Sequence, residues 1–151
     1  MEQQEEKVVS FFRFEDLRVY SKAISYSTWV MQQLSAPRDD AERTLAQSFY
    51  HSSYDIALNI AEGSSRSKNQ FDHYLKIAKT AIRECVVYSE VAHNTGMFGD
   101  GQYQQSREYL MELTRMLGAL IISLSRNSDR RQMRGDDDGE EDPYANEEMS
   151  Y

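Results

Sequence analysis

The sequence predicts an all-α protein, an antiparallel up-down-up-down four-helix bundle followed by an acidic C-terminal tail. Three observations carry that reading. Apolar residues recur at alternating steps of three and four along four long segments. Proline occurs only at Pro37 and Pro143, and between residues 8 and 128 glycine occurs only at Gly63, Gly96, Gly99, Gly101 and Gly118. No segment shows the period-two alternation of a half-buried strand.

The first helix is expected from about Phe14 to Leu34, with Leu17, Tyr20, Ile24, Ser27, Met31 and Leu34 as its core stripe. Ser35-Ala36-Pro37-Arg38 ends it. The second spans about Asp40 to Glu62, with Leu45, Phe49, Ser52, Ile56 and Ile60 on one face. Its neighbours Ala46, Ser53, Ala57 and Ala61 are small enough for close helix packing. The third runs from about Lys68 to Asn94 through Phe71, Leu75, Ala78, Ile82, Cys85, Ser89 and Ala92, and Gly96 stops it. The fourth starts near Gln102 and carries a seam of Leu110, Leu113, Leu117, Leu120 and Leu124 to about Arg126. Segments of matched length joined by short loops favour antiparallel neighbours.

Between the second and third helices, Gly63 is expected in the left-handed conformation that closes a helix, and Ser67 with Gln70 has capping-box spacing. Asn59, Glu62, Gly63, Arg66 and Ser67 read as a structural corner motif rather than a catalytic site, because buried polar groups at a tight corner must pair. Val19, Tyr26, Trp29 and Val30 lie largely off the first helix's chosen stripe, as do Val87, Tyr88 and Val91 on the third. This surplus suggests self-association, with Tyr26, Trp29, Val30 and Tyr88 as interface candidates.

The 151 residues carry a net charge of −8, most of it local. Residues 129–151 hold nine Asp/Glu against three Arg, whereas residues 8–128 hold thirteen acids and thirteen bases. The expected organisation is a flexible N-terminus (1–11), the bundle (12–128) and a disordered acidic tail (129–151), since the tail has too little apolar surface to offset its ordering entropy. A single cysteine, Cys85, excludes an intramolecular disulfide framework. The polar start and the lack of any membrane-length apolar run lead to the expectation of a cytoplasmic protein.

Catalytic chemistry has little foothold. Dimetal bundles use two Glu-x-x-His pairs, and only Glu90 with His93 has that spacing; His51/Asp55 and Asp72/His73 complete no second pair. No phosphate-binding loop, dinucleotide fingerprint or nucleophile elbow occurs, so no catalytic residue, metal or cofactor is expected. A nucleic-acid patch would draw on Arg66, Lys68, Lys76, Lys79 and Arg83, the last three sharing a helical face, against the competition of the acidic tail.

The segments Phe14-Glu15-Asp16-Leu17, Asn59 to Gly63, Arg66-Ser67, Phe71, Leu75, Ile77-Ala78 and Glu84 resemble the four-helix bundle family encoded in intervening sequences of large-subunit ribosomal RNA genes. The resemblance covers about residues 12–126 and adds Glu84 to the corner motif. It implies a homopentamer without established enzymatic activity. It is also similar in architecture to the accessory proteins of diversity-generating retroelements, basic pentamers that bind a reverse transcriptase and nucleic acid. Where the family commonly has a basic pair and Ser-Ile-Pro on the second helix, this chain has Tyr50-His51 and Asp55-Ile56-Ala57. The expected function is therefore a non-enzymatic, homo-oligomeric scaffold or adaptor. The alternatives are a nucleic-acid-associated accessory protein partnering a reverse transcriptase or RNA, and a metal-dependent enzyme.

Overall fold

The computed structural model describes residues 10–134. A 3-10 turn, Arg13–Asp16, precedes four helices: α1 (Arg18–Gln33), α2 (Asp40–Ser64), α3 (Lys68–Asn94) and α4 (Asp100–Arg134). No strand occurs among the described residues.

Capping residues set the starts of α2 and α3. Asp39 accepts from the Glu42 N–H at 2.8 Å, and Ser67 accepts from the Gln70 N–H at 3.4 Å. At the end of α3 the chain turns through Gly96, the one described residue with a left-handed backbone (φ 80°). Two boundaries differ from expectation. The first helix is interrupted at Leu17, whose backbone is extended, and the 3-10 turn before it packs on both α1 and α2. The fourth helix continues to Arg134, so residues 129–134 are helical rather than part of a disordered tail. The rest of that expected tail, and most of the expected flexible N-terminus, lie outside the described residues.

Each helix packs on its sequence neighbours, and α1 closes the circuit against α4. Named contacts give the directions. Along α1, Ser27 donates to the Ser53 carbonyl, and further on the Leu34 carbonyl accepts from Tyr50, which comes earlier in α2. Against α4, Lys22 pairs with Glu112, Tyr26 meets Ser106, and Gln33 meets Gln102. Ser52 reaches Glu84 across α2 and α3, while the later Gly63 lies against the earlier Tyr74. In each of these pairs one helix ascends as the other descends.

The core faces of α2, α3 and α4 follow the sequence pattern, but that of α1 does not. Val19, Ala23, Tyr26, Val30 and Leu34 are buried, whereas Ile24 and Met31 of the expected stripe are 42 % and 48 % exposed. Trp29 is also in the core, where its ring lies 5.6 Å from that of Phe98 and 5.8 Å from that of Tyr109. Tyr26, Trp29 and Val30 are therefore not surface interface residues: contact with α4 turns this stripe inward. Tyr88 is half-buried, with its ring 5.8 Å from that of Phe49.

Candidate functional site

The stripe displaced from the core of α1 lines an open furrow. Tyr20 and Ile24 of α1, Phe14 of the 3-10 turn, and Tyr54, Ala57, Leu58 and Ala61 of α2 enclose about 420 Å3. Leu58 is 61 % exposed, and Met31 extends the apolar strip, its sulfur 4.0 Å from the Tyr54 hydroxyl. Phe14 packs edge-on to Tyr20, ring centres 5.0 Å apart, which holds the turn against the furrow. Among the described residues none of this lining is charged, so its chemistry is that of an apolar docking surface.

The bundle interior holds a chain of hydroxyls whose direction follows from counting protons. Ser89 donates to the Cys85 carbonyl at 2.8 Å, which uses its one hydrogen. Ser106, 2.5 Å from Ser89, must therefore donate to it, and Tyr26, 2.8 Å from Ser106, must donate in turn. Burial pushes the Tyr26 phenol and the Cys85 thiol far above their ordinary pKa values, keeping both neutral. The sequence signal for Ser106 is its place four residues before Leu110, in line with the leucine seam.

At the α2–α3 corner, Arg66 donates to the Glu62 carboxylate at 2.6 Å and stands 5.0 Å from the centre of the Tyr74 ring. Asn59 donates to the Asp55 carbonyl of its own helix at 2.7 Å. Gly63 is not a left-handed terminator. It lies within α2, and an added Cβ would fall 2.6 Å from the Cβ of Tyr74, so its role is close approach of α3. Glu84 does not belong to the corner: it accepts from Ser52 at 2.6 Å farther along α3.

The five candidate bases do not form one free patch. Arg66 is tied to Glu62, and Lys76 pairs with Asp72 at 2.7 Å. Lys68, Lys79 and Arg83 make no hydrogen bond or ion pair with another described residue. Lys79 and Arg83 precede Val86 by seven and three positions on the same helical face. Val86 in turn lines an α3/α4 cleft of about 280 Å3 with Arg107, Leu110, Met111, Thr114 and Arg115. The α4 arginines of this basic edge were not identified from the sequence, because they join the α3 bases only through helix register.

His93 Nε2 lies 2.7 Å from Asp100 and its ring stacks on Tyr103 at 4.5 Å, while Glu90 is exposed. His51, Asp55 and His73 are exposed too. Among the described residues, no group of three or more His, Cys, Asp or Glu could hold a metal ion, and no helix is long and apolar enough to cross a membrane.

A family model described as 23S rRNA-intervening sequence protein matches residues 15–119, from the 3-10 turn into the middle of α4. The chain belongs to that family. A comparison with curated proteins finds no match.

Proposed function

We propose that this member of the 23S rRNA-intervening sequence protein family is a non-enzymatic scaffold or adaptor that assembles with copies of itself. The observation that carries the reading is the α1/α2 furrow, a contiguous apolar surface with Ile24, Met31 and Leu58 exposed. Val87 and Val91, 58 % and 41 % exposed on α3, offer a second apolar surface. α3 is flanked by α2 and α4, with α1 diagonally across the bundle, so this surface lies away from the furrow. Two different surfaces on one protomer favour head-to-tail association, which closes into a ring when the rotation permits. Five copies is the number implied by the family resemblance. The single, buried Cys85 fits a reducing, cytoplasmic setting.

Replacing Ile24 and Leu58 together by Asp tests the reading. Both side chains are exposed, so the helical circular dichroism signal should persist while the particle mass falls to that of a single chain. An unchanged mass would rule out the furrow as the interface.

A second reading, a nucleic-acid-associated accessory protein acting with RNA or a reverse transcriptase, draws support from Lys79, Arg83, Arg107 and Arg115 along one edge. Phosphate contacts from such a row would give steeply salt-dependent binding. Fluorescence anisotropy with labelled single-stranded RNA at two salt concentrations tests it.

A further inference from the structure

The α3/α4 cleft combines an apolar floor of Val86, Leu110 and Met111 with a cationic rim: Arg107 and Arg115 line it, and Lys79 and Arg83 precede Val86 on the same face of α3. None of the four rim bases pairs with a carboxylate among the described residues. Arg107 instead donates to the Tyr103 hydroxyl at 3.4 Å. Val87 is one position on from Val86 and thus about 100° around the helix, which turns it away from the cleft floor. The cleft is therefore distinct from both self-association surfaces proposed above.

The chain supplies a complementary occupant. Residues 135–151 contain eight carboxylates and no Lys or Arg, together with Tyr144, Met149 and Tyr151. The segment also leaves the fold at the right end. Ser89 opposite Ser106 sets the register, so equal steps along both helices place roughly residue 127 of α4 opposite Lys68. Arg134 thus lies just past the start of α3. From there the cleft, between Leu110 and Arg115, is roughly 30 to 36 Å back along α4. Extended chain covers about 3.4 Å per residue, so Glu147 and Glu148 reach some 45 Å from Arg134. The earlier acids pass Lys68 and Lys79 on the way.

We propose that the acidic segment 135–151 folds back along the α3/α4 edge of its own chain and occupies this cleft. Its carboxylates pair with Lys79, Arg83, Arg107 and Arg115, and its tyrosines and Met149 cover the apolar floor. Exposed ion pairs are weak one at a time, but a tethered segment meets the cleft at an effective concentration in the millimolar range. The contact shields the basic edge from outside phosphates and so acts as a built-in inhibitor of polyanion binding. It does not depend on self-association.

Carbodiimide cross-linking of the full chain reads the contact directly, because it joins a lysine amine to a carboxylate only when they touch. An equal mixture of 15N-labelled and unlabelled chains separates links within one chain from links between chains. Lys22–Glu112, an ion pair at 2.9 Å, is the internal positive control. The expected result is a Lys79 link to a carboxylate of 135–151 within one isotopic form. It should fall at least threefold in the Arg107→Glu/Arg115→Glu variant while the Lys22–Glu112 link is unchanged. Three results would each overturn the proposal: tail links only between labelled and unlabelled chains, Lys79 links only to carboxylates of the bundle or none, or a yield indifferent to the double substitution. Recovery of the Lys22–Glu112 link shows that the variant is folded.

Discussion

Gly63 and Tyr74 approach so closely that a Cβ on the glycine would stand 2.6 Å from the Cβ of the tyrosine. Neither atom can swing aside, because both are attached directly to helix backbones, and Phe71 Cδ2 would lie only 2.9 Å away. Glycine at this position sets how near α3 comes to α2.

Gly63→Ala should destabilise the bundle by about 1 to 3 kcal/mol, since overpacking outweighs the gain of up to about 1 kcal/mol in helix propensity. Gly118→Ala is the control. Nothing lies within 4 Å of its would-be Cβ, so it should stabilise by about 0.5 to 1 kcal/mol. Opposite shifts in thermal midpoint are the expected outcome; equal shifts would contradict the close-approach role.

The Glu62–Arg66 pair beside that contact should matter less. Glu62 is about half exposed, and the two residues are four apart. Glu62→Ala should cost no more than about 1 kcal/mol in urea unfolding. A loss of several kcal/mol would mean that Glu62 holds the corner through more than this pair.

Ser106→Ala removes the acceptor of the buried Tyr26 hydroxyl and the donor to Ser89. It should cost about 1 to 3 kcal/mol, and Tyr26→Phe less, because Phe leaves no stranded polar atom at its own position. The same site gives a pH dependence. Tyr26 and Cys85 both have folded pKa values raised above their ordinary 10.0 and 9.0. Their contribution is therefore fully present below about pH 8 and lost as pH rises past 9 to 10. Stability should decline on the alkaline side, less steeply in Tyr26→Phe. A decline as steep in that variant would assign it to other groups.

The full chain should bind labelled single-stranded RNA no more tightly than the roughly 10−4 to 10−6 M of non-specific association in physiological salt. Neutralising Asp136, Asp137 and Asp138 to Asn should tighten binding. Anisotropy titrations check both statements, and tight, salt-sensitive binding by the unaltered chain would favour the accessory-protein reading.

The helices α2 and α3 were legible because caps and punctuation coincide with their ends: Pro37 and Asp39 before α2, Ser67 before α3 and Gly96 after it. The face of α1 was not. Val19-Ala23-Tyr26-Val30 and Tyr20-Ile24-Ser27-Met31 both follow steps of three and four, and periodicity alone does not say which meets α4. The decision lies in tertiary contacts, Tyr26 with Ser106 and Trp29 with Phe98. Gly63 is legible as a corner glycine, but its need is space rather than a positive φ. Arg107 and Arg115 became part of a site only once α4 was laid antiparallel to α3. No local pattern marks them.

The mass of the intact protein in solution tests the self-association claim most directly. Size exclusion coupled to light scattering at micromolar concentration should give a multiple of the 17.6 kDa chain mass, five chains if the family resemblance extends to ring size. A particle of 17.6 kDa would contradict assembly and leave the α1/α2 furrow open to a different partner.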